Sequence, residues 1–280
     1  MNVPLLLTTA EAAAFAGVTA STIKRWADTG LLPCVRTAGG HRRIERHALE
    51  HMLHTLSSSQ QPEDDPYWHW IDTLLTGHRH SIDALLLETR AHQGSWAAVA
   101  DETGRMLSAL GRFWVLGKIS IAQEHAASES LSRALIRMAD ALPSPMHNHT
   151  CVLATPENDP HTLGLFLAEL CLREATWIPR FIGPLTPLQE LLRIARQTPP
   201  TMIALSASSV SNNAQQLLQF TQELACACQE HGVTLALGGS GAWPANHPHT
   251  VRFSSYTDFQ KHLLSYPPYT PTHFSFSSNT

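Results

Sequence analysis

One histidine in the sequence has neighbours that prepare it to bind a metal. In Asp159-Pro160-His161-Thr162-Leu163-Gly164 a carboxylate stands two residues before the imidazole and a glycine three residues after it. A neutral imidazole ligates through one ring nitrogen, and a carboxylate accepting a hydrogen bond from the other fixes the tautomer and raises ligand basicity. Gly164 leaves room for a bulky group to approach the backbone.

A second group is cationic. Arg36, His41, Arg42 and Arg43 surround Gly39-Gly40, and Thr22, Lys24 and Arg25 share one short amphipathic stretch. Each phosphate that such cations neutralise adds salt-sensitive affinity, while hydroxyl and arginine side chains at the start of a helix reach base edges in the major groove. Thr22 and Arg25 are the candidate base readers. A third group is Trp114, Glu124 and His125, close to the helix break at Gly117. Composition alone reads that tryptophan as core and the Glu-His pair as exposed.

The elements that must position these residues follow from local signals. Thr8 and Glu11 fit a capping box ahead of an alanine-rich helix ending at Gly17, and Thr19 caps a second helix over Ala20 to Asp28, with Ile23 and Trp26 or Ala27 inward and Ser21, Thr22, Lys24 and Arg25 largely outward. Two short strands around Gly39-Gly40 form a basic wing, followed by a helix from about Glu45. No coiled coil follows it, so self-association falls to the later segments. Helices are predicted over Ile82 to Gln93, Ala97 to Leu110 and Ile121 to Leu142, with Ser120 and Gln123 capping the last. From Thr150, apolar strands alternate with amphipathic helices: Cys151 to Thr155 then His161 to Arg173, Ile178 to Ile182 then Leu188 to Arg196, with further strands at Met202 to Ser206 and Thr234 to Leu237. That alternation predicts right-handed crossovers and an open parallel sheet, with ligands at the strand C-terminal ends. The expected organisation is a winged helix-turn-helix over 1–56, a polar linker over 57–66, a helical bundle over 67–146, an α/β domain over 147–268 and a loose tail over 269–280.

The remaining chemistry is bland. Net charge is −4, so any nucleic-acid face is local. Five scattered cysteines predict reduced thiols, and Cys226-x-Cys228 has no partner pair at zinc spacing. His78, His80, His247 and His249 stand in polar, turn-like contexts. The N-terminus lacks the features of a secretory signal and no apolar run reaches the roughly 20 residues of a membrane span, so cytoplasm is the expected location. No nucleophile–His–acid arrangement or phosphate-binding glycine loop emerges, and no turnover is predicted.

Residues 5–54, with Gly39-Gly40-His41-Arg42 and Trp26, resemble the winged helix-turn-helix of MerR-type regulators. Asp159-x-His161-x-x-Gly164 resembles the signature of cobalamin-binding domains with a flavodoxin-like, Rossmann-type parallel sheet, in which the histidine is the lower axial ligand of cobalt. That resemblance implies that Ser206 and Gly238-Gly239 line the pocket for the displaced nucleotide tail, although Ser208 stands where the pattern has leucine. The order of reader, four-helix-bundle cap and cobalamin fold resembles the CarH-type light-sensing repressors. This implies adenosylcobalamin capped by Trp114, Glu124 and His125, an operator in double-stranded DNA, and a homo-oligomer, dimeric or tetrameric, whose assembly responds to light. The residue after the tryptophan is a histidine in that pattern and Val115 here, and valine cannot ligate a metal. Two other readings stand beside it: a corrinoid carrier or methyltransferase module, and a regulator that senses another ligand or works without cofactor.

Overall fold

The computed structural model describes residues 6–28, 31–37, 39–57, 64–143 and 149–267, the side chains of 54–57 excepted. Most of the expected linker at 57–66, residues 144–148 at the expected boundary between bundle and α/β domain, and the expected tail at 269–280 lie outside the described residues. The chain divides into two compact units, one of residues 1–82 with 105–130, the other of residues 83–104 with 131–280.

In the first unit β1 (Leu6–Thr8) leads into α1 (Thr9–Ala16). The expected capping box is present: the Thr8 hydroxyl accepts from Glu11 N at 3.2 Å and Glu11 Oε2 accepts from Thr8 N at 2.7 Å. Both would otherwise be unsatisfied donors at the helix start. Gly17 closes α1, and Thr19 Oγ1 accepts from Thr22 N at 3.2 Å to open α2 (Ala20–Asp28). β2 (Cys34–Arg36) and β3 (Arg42–Glu45) form the wing, its turn held by Thr37 N donating to His41 O at 2.9 Å, and α3 (Arg46–Ser57) follows. β1 carries no sequence signal, because three residues are too few to show alternation. It pairs antiparallel with β3, which becomes the central strand of a three-stranded sheet. Ile23, Trp26, Leu32, Ile44 and Leu49 fill the core beneath.

Four helices come next, α4 (Trp68–Thr76), α5 (Arg79–Gln93), α6 (Trp96–Val115) and α7 (Ile121–Asp140). The three expected helices are α5, α6 and α7; Gln93 and Ile121 fall where expected and the other ends shift by one to five residues. Within the first unit, Trp68 of α4 meets Phe113 of α6 edge-on at 5.6 Å, and Arg112 pairs with Asp65 at 3.0 Å. α6 ends in a tight corner where Gly117 N donates to Trp114 O at 3.1 Å and Lys118 N to Phe113 O at 2.9 Å. Ser120 and Gln123 then cap α7 reciprocally, at 2.9 and 3.2 Å. Among the described residues no helix is long and apolar enough to cross a membrane.

The second unit contains β4 (Thr150–Pro156), α8 (Leu163–Glu174), β5 (Ile178–Thr186), α9 (Leu188–Gln197), β6 (Met202–Ser206), α10 (Ala214–Glu230), β7 (Thr234–Gly238), β8 (Thr250–Arg252) and α11 (Tyr256–Leu264). The strands form one parallel sheet in the order β5-β4-β6-β7-β8. Their central strands are almost wholly buried, which is why they read as continuous apolar runs. Val152, Ile203, Leu205, Leu235 and Leu237 pack under α9 and α10. β8 and α11 extend the expected fold at the far edge. The strand order reverses between β4 and β6, placing the crevice of a doubly wound sheet at their C-terminal ends.

Candidate cofactor site and candidate DNA-reading surface

Asp159 and His161 lie in the β4–α8 loop at that crevice. The helix expected to begin at His161 begins at Leu163, so the histidine is on the loop and Gly164 in the first helical turn. Asp159 is fully buried, whereas the His161 side chain is 57% exposed. His161 Nδ1 stands 3.0 Å from Asp159 Oδ1, and His161 N donates to the same oxygen at 3.0 Å. The ring is therefore oriented through Nδ1, and Nε2 is the nitrogen left to ligate.

The β6–α10 loop completes the arrangement. Ser208 N donates to Asp159 Oδ2 at 2.5 Å, the Ser208 hydroxyl to Oδ1 at 3.1 Å and the Ser211 hydroxyl to Oδ2 at 2.9 Å. Burial pushes the Asp159 carboxyl up, but the hydrogen bonds from Ser208, His161 and Ser211 outweigh it and hold the group below its ordinary value. A buried carboxylate with this many donors stays ionised and orients the imidazole firmly. Ser208 and Ser211 had no signal as site residues, since they reach Asp159 only once β4 and β6 are neighbours.

Gly164 and Ser206 face each other across the same crevice. A Cβ on Gly164 would lie 2.5 Å from Ser206 Oγ and 3.5 Å from the Tyr256 hydroxyl, which donates to Gly164 O at 3.1 Å. Burial keeps the Tyr256 phenol protonated for that role. The first turn of α11 is fixed by Asp101, which accepts from Tyr256 N at 2.6 Å, Thr257 N at 3.1 Å and the Thr257 hydroxyl at 2.6 Å. Gly239 has φ +82° and a Cβ there would meet Ala207 O at 2.2 Å, so glycine is required; Gly238 meets nothing closer than 3.7 Å. An oriented imidazole at the ends of the strands, with glycines packed against small residues, fits a metal held by one imidazole nitrogen. Among the described residues no group of three or more His, Cys, Asp or Glu forms a metal cage.

In the first unit, Glu124 Oε1 accepts from the Ser128 hydroxyl at 2.8 Å, and Glu124 Oε2 stands 3.6 Å from Nε2 of His125, which is 74% exposed. Trp114 Nε1 is buried without a hydrogen-bond partner among the described residues.

The reader residues occupy two surfaces. On the wing, His41 is exposed, Arg36 and Arg42 lie 3.5 and 2.5 Å from Asp28 Oδ1, and Arg43 donates to Arg42 O at 3.3 Å. On α2, Lys24 is exposed, but Thr22 is only 8% exposed, unlike the outward placement the helical pattern gives it. The Arg25 guanidinium stands over the Trp114 ring at 4.6 Å, and its Nη2 donates to Val115 O at 3.3 Å. The cause is the α6 corner, a contact between residues some ninety positions apart that no local pattern encodes.

The chain thus joins a winged helix-turn-helix to a doubly wound parallel sheet with an oriented histidine at its switch point. Residues 6–57 match the helix-turn-helix domain family. The chain is 26% identical over 137 residues to the HTH-type transcriptional repressor CarH of Myxococcus xanthus, a match covering 49% of this chain and 45% of that protein, so it spans less than half of that relative's length. The resemblance to CarH-type regulators carried by the motifs is thereby borne out. Among solved structures, the monomethylamine corrinoid protein of Methanosarcina barkeri superposes with a TM-score of 0.54 at 15% identity, covering 69% of this chain and 94% of that one. A cobalamin-binding protein of Desulfitobacterium hafniense matches with a TM-score of 0.34 at 16% identity, covering 69% and 94%.

Proposed function

We propose that this chain is a cobalamin-binding transcriptional repressor of CarH type, with no turnover of its own. The observation that carries the reading is His161, oriented by Asp159 at 3.0 Å through Nδ1 and leaving Nε2 to ligate, in a chain that also contains a helix-turn-helix. His161 would hold cobalt from below, Asp159 with Ser208 and Ser211 would keep the ring in place, and Gly164, Ser206, Gly238 and Gly239 would line the space for the nucleotide tail. The family resemblance assigns Trp114, Glu124 and His125 to the cofactor as well. Cobalamin, most simply in its adenosyl form, supplies when bound a cobalt whose upper bond is light-sensitive. Thr22, Lys24, Arg25, Arg36, His41, Arg42 and Arg43 would contact operator DNA in the cytoplasm. The segments 1–56, 67–146 and 147–268 would serve as reader, cap and cofactor holder, and a change of homo-oligomeric state would link cofactor to DNA affinity.

Absorption spectra of the reconstituted protein test this, recorded before and after green light and repeated with His161→Ala. The expected result is a bound-cobalamin spectrum that responds to light and is altered or lost in the variant, with DNA affinity following. Light without effect on spectrum, size or DNA binding overturns the photosensory part. Val115 makes capture of cobalt by a second histidine at that position chemically impossible, so the illuminated spectrum is expected to lack bis-histidine character unless His125 substitutes. The likeness of fold to a corrinoid protein favours a second reading, a corrinoid carrier; DNA binding that ignores both Arg25→Ala and Arg42→Ala would support it.

A further inference from the structure

The part of α2 that bears Thr22 and Arg25 lies against the α6 corner, while Lys24 stays exposed. Trp26 Nε1 and Arg25 Nη2 both donate to Val115 O, and the Arg25 guanidinium lies over the Trp114 ring at 4.6 Å. A Cβ on Gly117 would lie 3.8 Å from Arg25 Nη2 and 3.8 Å from Thr22 Cγ2, so the corner backbone runs close over both candidate readers. The Val115 side chain packs against the apolar core of the reader. A carbonyl with two donors, an aromatic face under a cation and an apolar plug together form a matched interface.

We infer that the Trp114–Gly117 corner is an intramolecular docking site for the recognition helix, and that DNA competes with it for Thr22 and Arg25. With its face on the indole and Nη2 donating to Val115 O, the guanidinium is held at the corner, in the space a duplex docked on α2 would fill. Thr22 cannot meet a groove while the corner covers it. The reader in this arrangement is closed, and DNA binding requires α2 to leave α6. This inference rests on the helix-turn-helix reading and not on the cofactor.

The test uses the full chain without cofactor and a duplex of about 40 base pairs of random sequence at low salt, where phosphate contacts dominate. Trp114→Ala removes the face under Arg25, and Val115→Asn sets a polar group against the apolar core. Each is expected to tighten DNA binding about three- to tenfold, the size of one or two such contacts, with the helical signal retained. Hydrogen exchange in the wild-type chain should quicken at residues 113–118 when DNA saturates it. Wild-type or weaker affinity in both folded variants, or unchanged exchange at 113–118, overturns the closure. Arg42→Ala, on the wing and away from the corner, should weaken binding in every background; if neither it nor Arg25→Ala has any effect, it is the DNA reading itself that falls.

Discussion

The Ser208 hydroxyl stands 3.0 Å from His161 Nδ1, the nitrogen that also faces Asp159. At this position the cobalamin-domain pattern has leucine, so the substitution adds a polar partner to the imidazole while removing an apolar one from the crevice. Ser208→Ala and Ser208→Leu are both expected to weaken cobalamin binding by about tenfold, the usual scale for partners of a metal-ligating histidine. Spectroscopic titration checks this. A Ser208→Leu protein that binds as tightly as wild type would show that apolar packing matters there and the hydroxyl does not.

The depressed Asp159 carboxyl has a pH signature. Its stabilising contribution is fully present above the ordinary carboxylate range near 3.8 and is lost as pH falls through its lower folded-state value. Denaturant unfolding of wild type should therefore lose stability below about pH 4. Asp159→Asn should be less stable at neutral pH and should show a shallower acid decline, because the ionisation that drives it is gone.

Glu174 is a junction within the second unit. Its carboxylate accepts from Arg90 Nη2 at 2.7 Å, Trp96 N at 2.8 Å and Gln260 Nε2 at 2.5 Å, uniting the start of α6 with α8 and α11. Glu174→Ala leaves a partly buried guanidinium and a helix-start N–H without that acceptor, at an expected cost of about 2–4 kcal/mol. Thermal melting measures it, and Glu174→Gln, which keeps an acceptor, should lose less.

Gly239→Ala is expected to destabilise by about 2–4 kcal/mol, since the left-handed backbone disfavours a side chain and its Cβ would collide with a carbonyl oxygen. Gly238→Ala, where nothing is closer than 3.7 Å, should cost under about 1 kcal/mol. Equal losses at the two positions would contradict the geometry.

Asp28 holds two wing arginines, Arg36 at 3.5 Å and Arg42 at 2.5 Å. Asp28→Asn removes that competition with phosphate and a like charge near the duplex. DNA affinity should rise about two- to fivefold, and the salt dependence should steepen by about one unit if one further phosphate is engaged. Binding isotherms across a salt series decide it.

Capping boxes at Thr8–Glu11 and Ser120–Gln123, the β-α alternation after Thr150 and the Asp159–His161 pair were legible because each rests on residues a few positions apart. The grouping of Ser208 and Ser211 around Asp159 was not, because it depends on β6 lying beside β4, a choice made by sheet packing. Thr22 is the sharpest departure. Its place on a polar helical stripe predicts exposure, and the α6 corner buries it. Tyr256 and Asp101 escaped for the same reason: a phenol bonded to the first turn of a helix about ninety residues away, and a carboxylate capping a helix about 155 residues on, leave no local pattern.

Thr8 belongs to two elements at once, pairing with Arg43 as the last residue of β1 and capping α1 through its hydroxyl. The wing and the helix-turn-helix are thus geared to each other through one residue, its backbone in the sheet and its hydroxyl on the helix. A genetic screen for altered operator binding would return lesions at Thr8, although that residue contacts no nucleotide in the proposed reader, and their phenotype would mimic damage to the arginines themselves.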